Sequence, residues 1–222
     1  MQNLEVIHEN NDYLVVNKRA GLISEQSAYE DVTVQDQVFN HLLKSKPKPF
    51  VGVIHRLDRV TSGVLIFAKR KSILVAFNQL FASRKVQKTY LAIVKNKPPK
   101  NKDTLVNFLF KNKHEKRADI VSGKSKHGQE CSLSYTLIGE NESNYLLEVK
   151  PKTGRFHQIR AQLAHIGLPI VGDEKYGSDQ TYFPLSIGLH AWKLSYNEDN
   201  NPKTVTYKSP LPKNYFWKFE LI

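Results

Sequence analysis

The amino-acid sequence predicts an α+β fold in which helices and loops flank a mixed, mostly antiparallel β-sheet. Three observations predict it: many short apolar stretches, only three segments with helical periodicity, and no regular alternation of strand and helix. The chain has 222 residues and contains neither an internal repeat nor a Gly/Ser linker. We therefore expect a single domain that spans residues 1–222.

The first half of the chain contains three predicted strands and two predicted helices. Its strands are expected at residues 4–8, 13–17 and 64–68, and its helices directly after Thr33 and over residues 73–81. Thr33 is a good N-cap, and the apolar residues that follow it recur every four positions. The proline-containing segment 44–49 ends this helix, because proline lacks the backbone N–H that a helix needs.

The second half contains five predicted strands and one helix. Its strands are expected at residues 90–94, 132–138, 145–149, 189–194 and 204–207, and its helix at about 157–166. Gly167 ends that helix, with Pro169 beyond it. The cationic segments 95–102 and 111–127 are expected to be loops.

Composition and charge restrict the class of protein. The net charge is +12 and the isoelectric point is near 9.6, which favours a nucleic-acid partner over an acidic small molecule or mere solubility. Cys131 is the sole cysteine, so an internal disulfide is excluded. No stretch approaches the ~20 apolar residues of a membrane span, and the N-terminus does not resemble a secretory signal. We expect a cytoplasmic protein that does not bind membranes.

The segment from His55 to Lys69 is the most informative part of the chain. In it Asp58 lies between Arg56 and Arg59, directly before an apolar β-branched run. Neighbouring cations favour the ionised form of a carboxylate, which could then act as nucleophile, general base or metal ligand. A surface salt bridge is the alternative interpretation, and the residues alone leave both open.

Two further clusters could take part in chemistry. Arg155, His157 and Arg160 lie at the start of the third predicted helix, where they form either an anion site or a solvated basic face. Tyr90 begins an apolar strand, and the residue alone favours core packing over a role in chemistry. The sequence has no CxxC, HExxH or glycine-rich phosphate loop, so we expect neither a metal nor a nucleotide cofactor.

The three clusters, in this order, resemble the signatures of the RluA family of pseudouridine synthases. The matching segments are His55–Gly63, Lys88–Ala92, Thr153–Arg160 with its continuation through Gly167–Asp173 to Tyr176-Gly177, and, more weakly, Leu189–Ala191. The resemblance covers nearly the whole chain from about Val6 onward. It implies a pseudouridine synthase core with an active-site cleft across the sheet.

The resemblance also implies an activity, the isomerisation of uridine to pseudouridine in RNA. By similarity Asp58 is the catalytic group, acting either as nucleophile or as base. Tyr90 lies against the target base, and Arg160 pairs with Asp58 and keeps it ionised. The reaction is a rearrangement, so no cofactor and no metal are expected.

RNA contacts are implied for a second group of residues. Arg56 is similar to the arginine that fills the gap left by the flipped uridine; flipping is required because the reacting atoms are inaccessible inside a stack. The other expected RNA-binding residues are His55, Arg59, Lys69, Arg155, His157 and Gln158. The substrate is expected to be a stem-loop of ribosomal or transfer RNA, bound by a monomer with the help of basic loops at 44–48, 95–102 and 111–126.

The chain departs from the family pattern in two respects. By comparison with the family pattern, we expect a protein that begins directly at the catalytic core, without the N-terminal RNA-binding module that many relatives have. Gln162 stands where the family commonly has a histidine, and we expect altered support of the site with activity retained. Two alternatives stay open: an RNA-binding relative that has lost activity, and a metal-dependent nuclease that uses His55, Asp58 and His190.

Overall fold

The computed structural model describes residues 4–27, 32–123, 125, 127–197 and 204–221. Its helices are α1 (Val34–Leu43), α2 (Lys71–Ala82) and α3 (Gln158–His165). Its strands are β1 (Val6–Glu9), β2 (Tyr13–Lys18), β3 (Gly52–Val53), β4 (Ser62–Ala68), β5 (Val86–Val94), β6 (Lys102–Asn112), β7 (Arg117–Val121), β8 (Gln129–Glu140), β9 (Tyr145–Pro151), β10 (Leu189–Asn197), β11 (Thr204–Lys208) and β12 (Glu220–Leu221).

The chain forms two compact units. The first unit comprises Met1–Lys88 and Ala191–Leu211, and the second comprises Thr89–His190 and Pro212–Ile222. Both units contain residues of the predicted signatures, so we retain the single catalytic domain as a prediction.

In the first unit, β2 lies between β1 and β4, β3 pairs with β4, and β10 pairs with β11, all antiparallel. One face of α2 packs on this sheet: Phe77 joins Val15, Val64 and Ile66 in a buried cluster. Helix α1 begins at a capping box, in which Thr33 and Asp36 satisfy each other's backbone N–H groups. The first unit therefore holds the Asp58 segment between β3 and β4.

In the second unit, the strand order is β5-β9-β8-β6-β7, with β12 also paired to β8. All of these pairs are antiparallel. Leu109, Ala118, Cys131 and Ala161 form a small core in which α3 packs against the β6–β7 hairpin. Helix α3 ends at His165, and Gly167, just beyond its C-cap residue, has a positive φ of 79° that suits glycine.

The α+β prediction and the three predicted helices are confirmed, and each predicted strand overlaps an observed one. The prediction that residues 111–127 form a loop is wrong, since they include the end of β6 and all of β7; Lys124 and Lys126 lie outside the described residues. The prediction took the many charged residues of this segment as the sign of a loop. Charged side chains do not prevent a strand, because the backbone makes the hydrogen bonds between paired strands while the charged groups stay in solvent. Ala118 and Ile120 alternate toward the core, which is the pattern of a strand.

Candidate active site

The Asp58 segment of the first unit is a tight turn that leads into β4. The Thr61 N–H donates to the Asp58 carbonyl at 3.0 Å, and the Asp58 residue is partly buried. Gly63 follows with φ of 118°, a backbone conformation that side chains disfavour. A Cβ at this position would lie 2.6 Å from the Ala191 nitrogen and 2.7 Å from its carbonyl carbon. Only glycine therefore lets β4 run this close to the Ala191 backbone.

The residues on both sides of Asp58 are bound to the segment that follows β2. Ser24 Oγ accepts from the Leu57 N–H at 3.1 Å and donates to the Leu57 carbonyl at 3.0 Å. The Gly21 N–H donates to the Arg59 carbonyl at 2.8 Å, and Arg59 Nε donates to the Gly21 carbonyl at 3.0 Å. These four bonds fix the backbone that carries the Asp58 carboxylate.

Lys18, at the end of β2, is a buried cation of the same unit. Its side chain is fully enclosed, and Nζ donates to the carbonyls of Arg19, Leu22 and Arg59 at 3.0, 2.7 and 3.1 Å. Burial lowers the pKa of Lys18 to about 7, while the charge of Asp58 acts in the opposite direction. Lys18 thus holds the Asp58 turn, and in its protonated form its charge acts on the Asp58 carboxylate.

Arg56 and Lys69 of the first unit form ion pairs with acids other than Asp58. Arg56 Nη1 lies 2.6 Å from Glu25 Oε1, and both side chains are exposed. Lys69 Nζ donates to Glu9 Oε1 at 2.8 Å and to the Asn10 carbonyl at 2.7 Å. The exposed arginine could exchange its partner for a phosphate, whereas Lys69 is tied to the start of the β1–β2 turn.

His55 is a neutral packing residue in this structure. Its ring stacks on Phe81 with centroids 5.2 Å apart, and Nε2 accepts from the Ile66 N–H at 3.3 Å. Burial, together with the charge of Lys88, lowers the pKa of His55 to about 3. A neutral ring supplies no charge for phosphate, so its geometry favours support of the turn.

Arg160 in α3 is the buried cation of the second unit. Its residue is only 5% exposed, and its Nε and Nη2 donate to Asp173 Oδ2 and Oδ1 at 2.6 and 2.8 Å. Nη1 donates to His157 Nε2 at 3.0 Å, and the guanidinium carbon lies 5.0 Å from the centre of the Tyr176 ring. Side chains on three sides therefore restrict this guanidinium.

His157, the N-cap of α3, has a left-handed backbone with φ of 51°. Burial and the charge of Arg160 lower its pKa to about 3, so the ring is neutral. Because the guanidinium can only donate to Nε2, the ring proton is at Nδ1, which donates to the Tyr176 hydroxyl at 3.0 Å. His157 links Arg160 to Tyr176.

The remaining predicted residues of the second unit have distinct surroundings. Gln158 is buried, donates to the Ser132 carbonyl and accepts from the Arg155 N–H, each at 3.0 Å. Arg155 is exposed, and its Nε donates to the Glu130 carbonyl. Tyr90 lies in β5 opposite Val149 and is partly buried.

An aromatic and cationic surface adjoins the start of α3. Phe156 stacks on His157 with ring centroids 3.8 Å apart, and 36% of it is exposed. Lys111 Nζ lies 4.7 Å from the Phe156 ring centre. Exposed aromatic rings beside cations are the usual means of binding unpaired RNA bases.

Sequence reasoning assigned no role to Lys18, Asp173 or Tyr176. Asp173 and Tyr176 were part of the stretch that carries the family resemblance, which was a signal that they matter. Lys18 is the last residue of the mostly apolar stretch Tyr-Leu-Val-Val-Asn-Lys. Its position at the end of a buried strand was the one signal that its side chain could be buried too. Their partners are distant along the chain, so only the fold reveals them.

A model of the RNA pseudouridylate synthase family matches residues 12–165 of this chain. The chain belongs to this family. The resemblance to pseudouridine synthases of the RluA type is thereby confirmed, and the match includes Asp58, Tyr90 and Arg160.

Relatives of this pseudouridylate synthase family member include proteins named for two kinds of RNA. The chain is 32% identical over 219 residues to the ribosomal large subunit pseudouridine synthase D of Borreliella burgdorferi, covering 96% of this chain and 66% of that protein. It is also 32% identical over 226 residues to the tRNA pseudouridine synthase C of Vibrio parahaemolyticus, covering 94% and 83%. The chain thus spans about two thirds of the length of the first relative.

The fold agrees with a solved structure of the same family. The structure of human RNA pseudouridylate synthase domain containing 1 superimposes with a TM-score of 0.79 at 26% identity, covering 99% of this chain and 90% of that chain. Within the described ranges, no helix of this family member is long and apolar enough to cross a membrane. Nor do those residues include a group of three or more His, Cys, Asp or Glu side chains placed to hold a metal ion.

Proposed function

We propose that this protein is an RNA pseudouridine synthase that isomerises uridines in ribosomal or transfer RNA. The observation that carries the proposal is the family match over residues 12–165. This range includes the Asp58 turn and the hydrogen bonds from Ser24 and Gly21 that fix its backbone. The names of the two bacterial relatives support these two classes of RNA. The charge of +12 supports a polyanionic substrate.

The reaction breaks the N1–C1′ glycosidic bond of uridine and forms a C5–C1′ bond. The proton on C5 is lost to solvent and N1 gains one, so no redox or hydrolytic step occurs and no cofactor is required. Asp58 is the catalytic group, as nucleophile or as base at the ribose–uracil junction. Its rigid backbone supports either role, because a reacting group must be held in place.

Tyr90 and Arg160 complete the proposed catalytic set. Tyr90 lies against the flipped base and acts as the base for C5 or as its positioner. Arg160 pairs with Asp58 and favours its ionised form. The rigid setting of Arg160 between Asp173 and His157 supports a positional role for this cation.

RNA binding is assigned to the exposed cations and aromatic side chains. Arg56 fills the gap left by the flipped nucleotide, and its exposure supports this role. Arg59 and Arg155 are exposed and can reach phosphates, and Phe156 with Lys111 offers a stacking surface. The buried hydrogen bonds of Gln158 favour a supporting role for that residue.

The proposal is tested with purified protein, transcripts of ribosomal and transfer RNA, and chemical mapping of pseudouridine. We expect conversion of uridine at specific positions, also in excess EDTA. Mapping of total RNA from cells with and without the gene then identifies the substrate and its position. Cleavage of the RNA that EDTA abolishes, without conversion of uridine, would favour the metal-dependent nuclease, and RNA binding with neither cleavage nor conversion would favour the relative that has lost activity.

We also propose that the protein acts as a cytoplasmic monomer. Gel filtration with light scattering should give the mass of one 25.5 kDa chain. A dimeric mass would contradict this part of the proposal.

A further inference from the structure

The second unit contains a connected buried cluster around Arg160. The bidentate pair with Asp173 uses two N–H groups of the guanidinium, and the bond to His157 uses a third. His157 in turn donates to the Tyr176 hydroxyl, which also accepts from the Ala118 N–H at 2.7 Å. Helix α3, strand β7 and the segment after α3 are thus joined in one network that contains Arg160, His157 and Tyr176.

The segment that supplies Asp173 and Tyr176 is itself rigid. The Asp173 carbonyl accepts from the N–H groups of Tyr176 and Ser178 at 2.9 and 3.1 Å. Gly172, just before it, has φ of 82°, and a Cβ there would overlap the Cβ of Tyr182. The carboxylate that binds Arg160 therefore has little freedom to follow a moving guanidinium.

Two features of the cluster are unfavourable for stability alone. A buried ion pair loses its hydration, so it is weak evidence of a stabilising role. His157 adopts a left-handed backbone, which is uncommon for residues other than glycine, and both of its ring nitrogens are hydrogen-bonded. Unfavourable local geometry that the surroundings maintain is typical of functional sites.

We propose that Asp173, His157 and Tyr176 are positioning residues that fix the guanidinium of Arg160 for the reaction. The inference rests on the proposed function, because it takes Arg160 to be part of the catalytic set. It assigns to His157 a role within the protein rather than in contact with RNA. Asp173 sets the plane of the guanidinium, and Tyr176 limits its rotation through His157 and through its ring face.

The test compares Asp173→Asn with the wild type and with Asp179→Asn. Asp179 is the matched control, because it lies in the same unit and pairs with Lys95 at 2.7 Å on the surface. Turnover on a mapped RNA substrate gives kcat and KM. The Nε–Hε NMR signal of Arg160, assigned by its loss in Arg160→Lys, reports the guanidinium independently of activity.

We expect Asp173→Asn to lower kcat about 100-fold, the usual consequence of a misplaced reacting group, and to change KM less than about threefold. The Arg160 Nε–Hε signal should shift or broaden in this variant and stay unchanged in Asp179→Asn. Tyr176→Phe removes only the hydroxyl, so it should retain the fold and give a smaller effect of the same kind. If Asp173→Asn does not fold, the same kinetic and NMR measurements on Tyr176→Phe test the inference.

Two results would overturn the inference. An Arg160 signal that is identical in wild type, Asp173→Asn and Tyr176→Phe would show that these residues do not fix the guanidinium. A changed signal with wild-type kcat would show that the cluster does not serve the reaction. A wild type without turnover would instead refute the proposed function and the catalytic part of this inference, while the NMR comparison would still decide whether Asp173 holds Arg160.

Discussion

Replacement of Gly63 by alanine should be one of the most damaging single-methyl changes in the first unit. Its φ of 118° lies outside the regions that alanine occupies readily, which costs about 1–3 kcal/mol. The new Cβ would lie 2.6 Å from the Ala191 nitrogen, with the Ala191 carbonyl oxygen closer still. Relief requires a shift of backbone, and overpacking of this kind costs about 1–3 kcal/mol more. We therefore expect a loss of about 2–6 kcal/mol in the free energy of unfolding.

Gly167→Ala is the matched control, because this glycine also has a positive φ, of 79°, but no heavy atom lies within 4 Å of the new Cβ. The control should lose only the conformational part, about 1–2 kcal/mol. Urea denaturation followed by circular dichroism measures both variants against wild type. Turnover should fall further in Gly63→Ala, because Gly63 lies in the first residues of β4, directly after the Asp58 turn. Equal losses of stability in the two variants would refute the steric argument.

The remaining predictions concern charge. Lys18 has a folded pKa of about 7, against 10.5 when unfolded, so the unfolded chain binds more protons between these values. The free energy of unfolding should therefore gain about 2–3 kcal/mol from this group between pH 7.5 and 9.5, and Lys18→Met should lack that gain. His55 has a folded pKa of about 3, against 6.5 when unfolded, so the unfolded chain binds more protons between these values. As the pH falls from 7 to 5, the free energy of unfolding should therefore drop by about 2 kcal/mol through this group. A His55→Gln variant with the full wild-type decline would contradict this. Joint replacement of Lys113 and Lys116 by alanine should weaken RNA binding and reduce the salt slope by about 1 per lysine, whereas an unchanged slope would place the β6–β7 turn outside the interface.

Local patterns predicted much of the fold. The Thr33 cap, the four-residue spacing in α1 and the glycine after α3 all depend on neighbours within a few residues, and each has the expected structure. The β6–β7 hairpin was missed, because its lysines dominated the composition while Ala118 and Ile120 carried the strand pattern. A strand is recognised by the alternation of buried and exposed side chains, so charge content alone is a poor guide to it.

The Asp58, Tyr90 and Arg160 signatures were recognisable in the sequence, but the side chains that hold the Asp58 turn and Arg160 were not. Lys18 lies 40 residues before Asp58, and Asp173 lies 13 residues after Arg160. Neither spacing indicates that the two residues approach each other, because their approach depends on turns that form only with tertiary packing. The pairing of Arg160 with Asp58 joins residues of the two units and stays a prediction.

The central claim, that Asp58 performs uridine isomerisation in RNA, is tested most directly by tritium release. RNA that carries tritium at C5 of uridine loses the label to water when the C5–C1′ bond forms. We expect the wild type to release tritium and Asp58→Asn, which has nearly the same shape, to release none while it binds the same RNA with similar affinity. Release by Asp58→Asn at the wild-type rate would contradict the account.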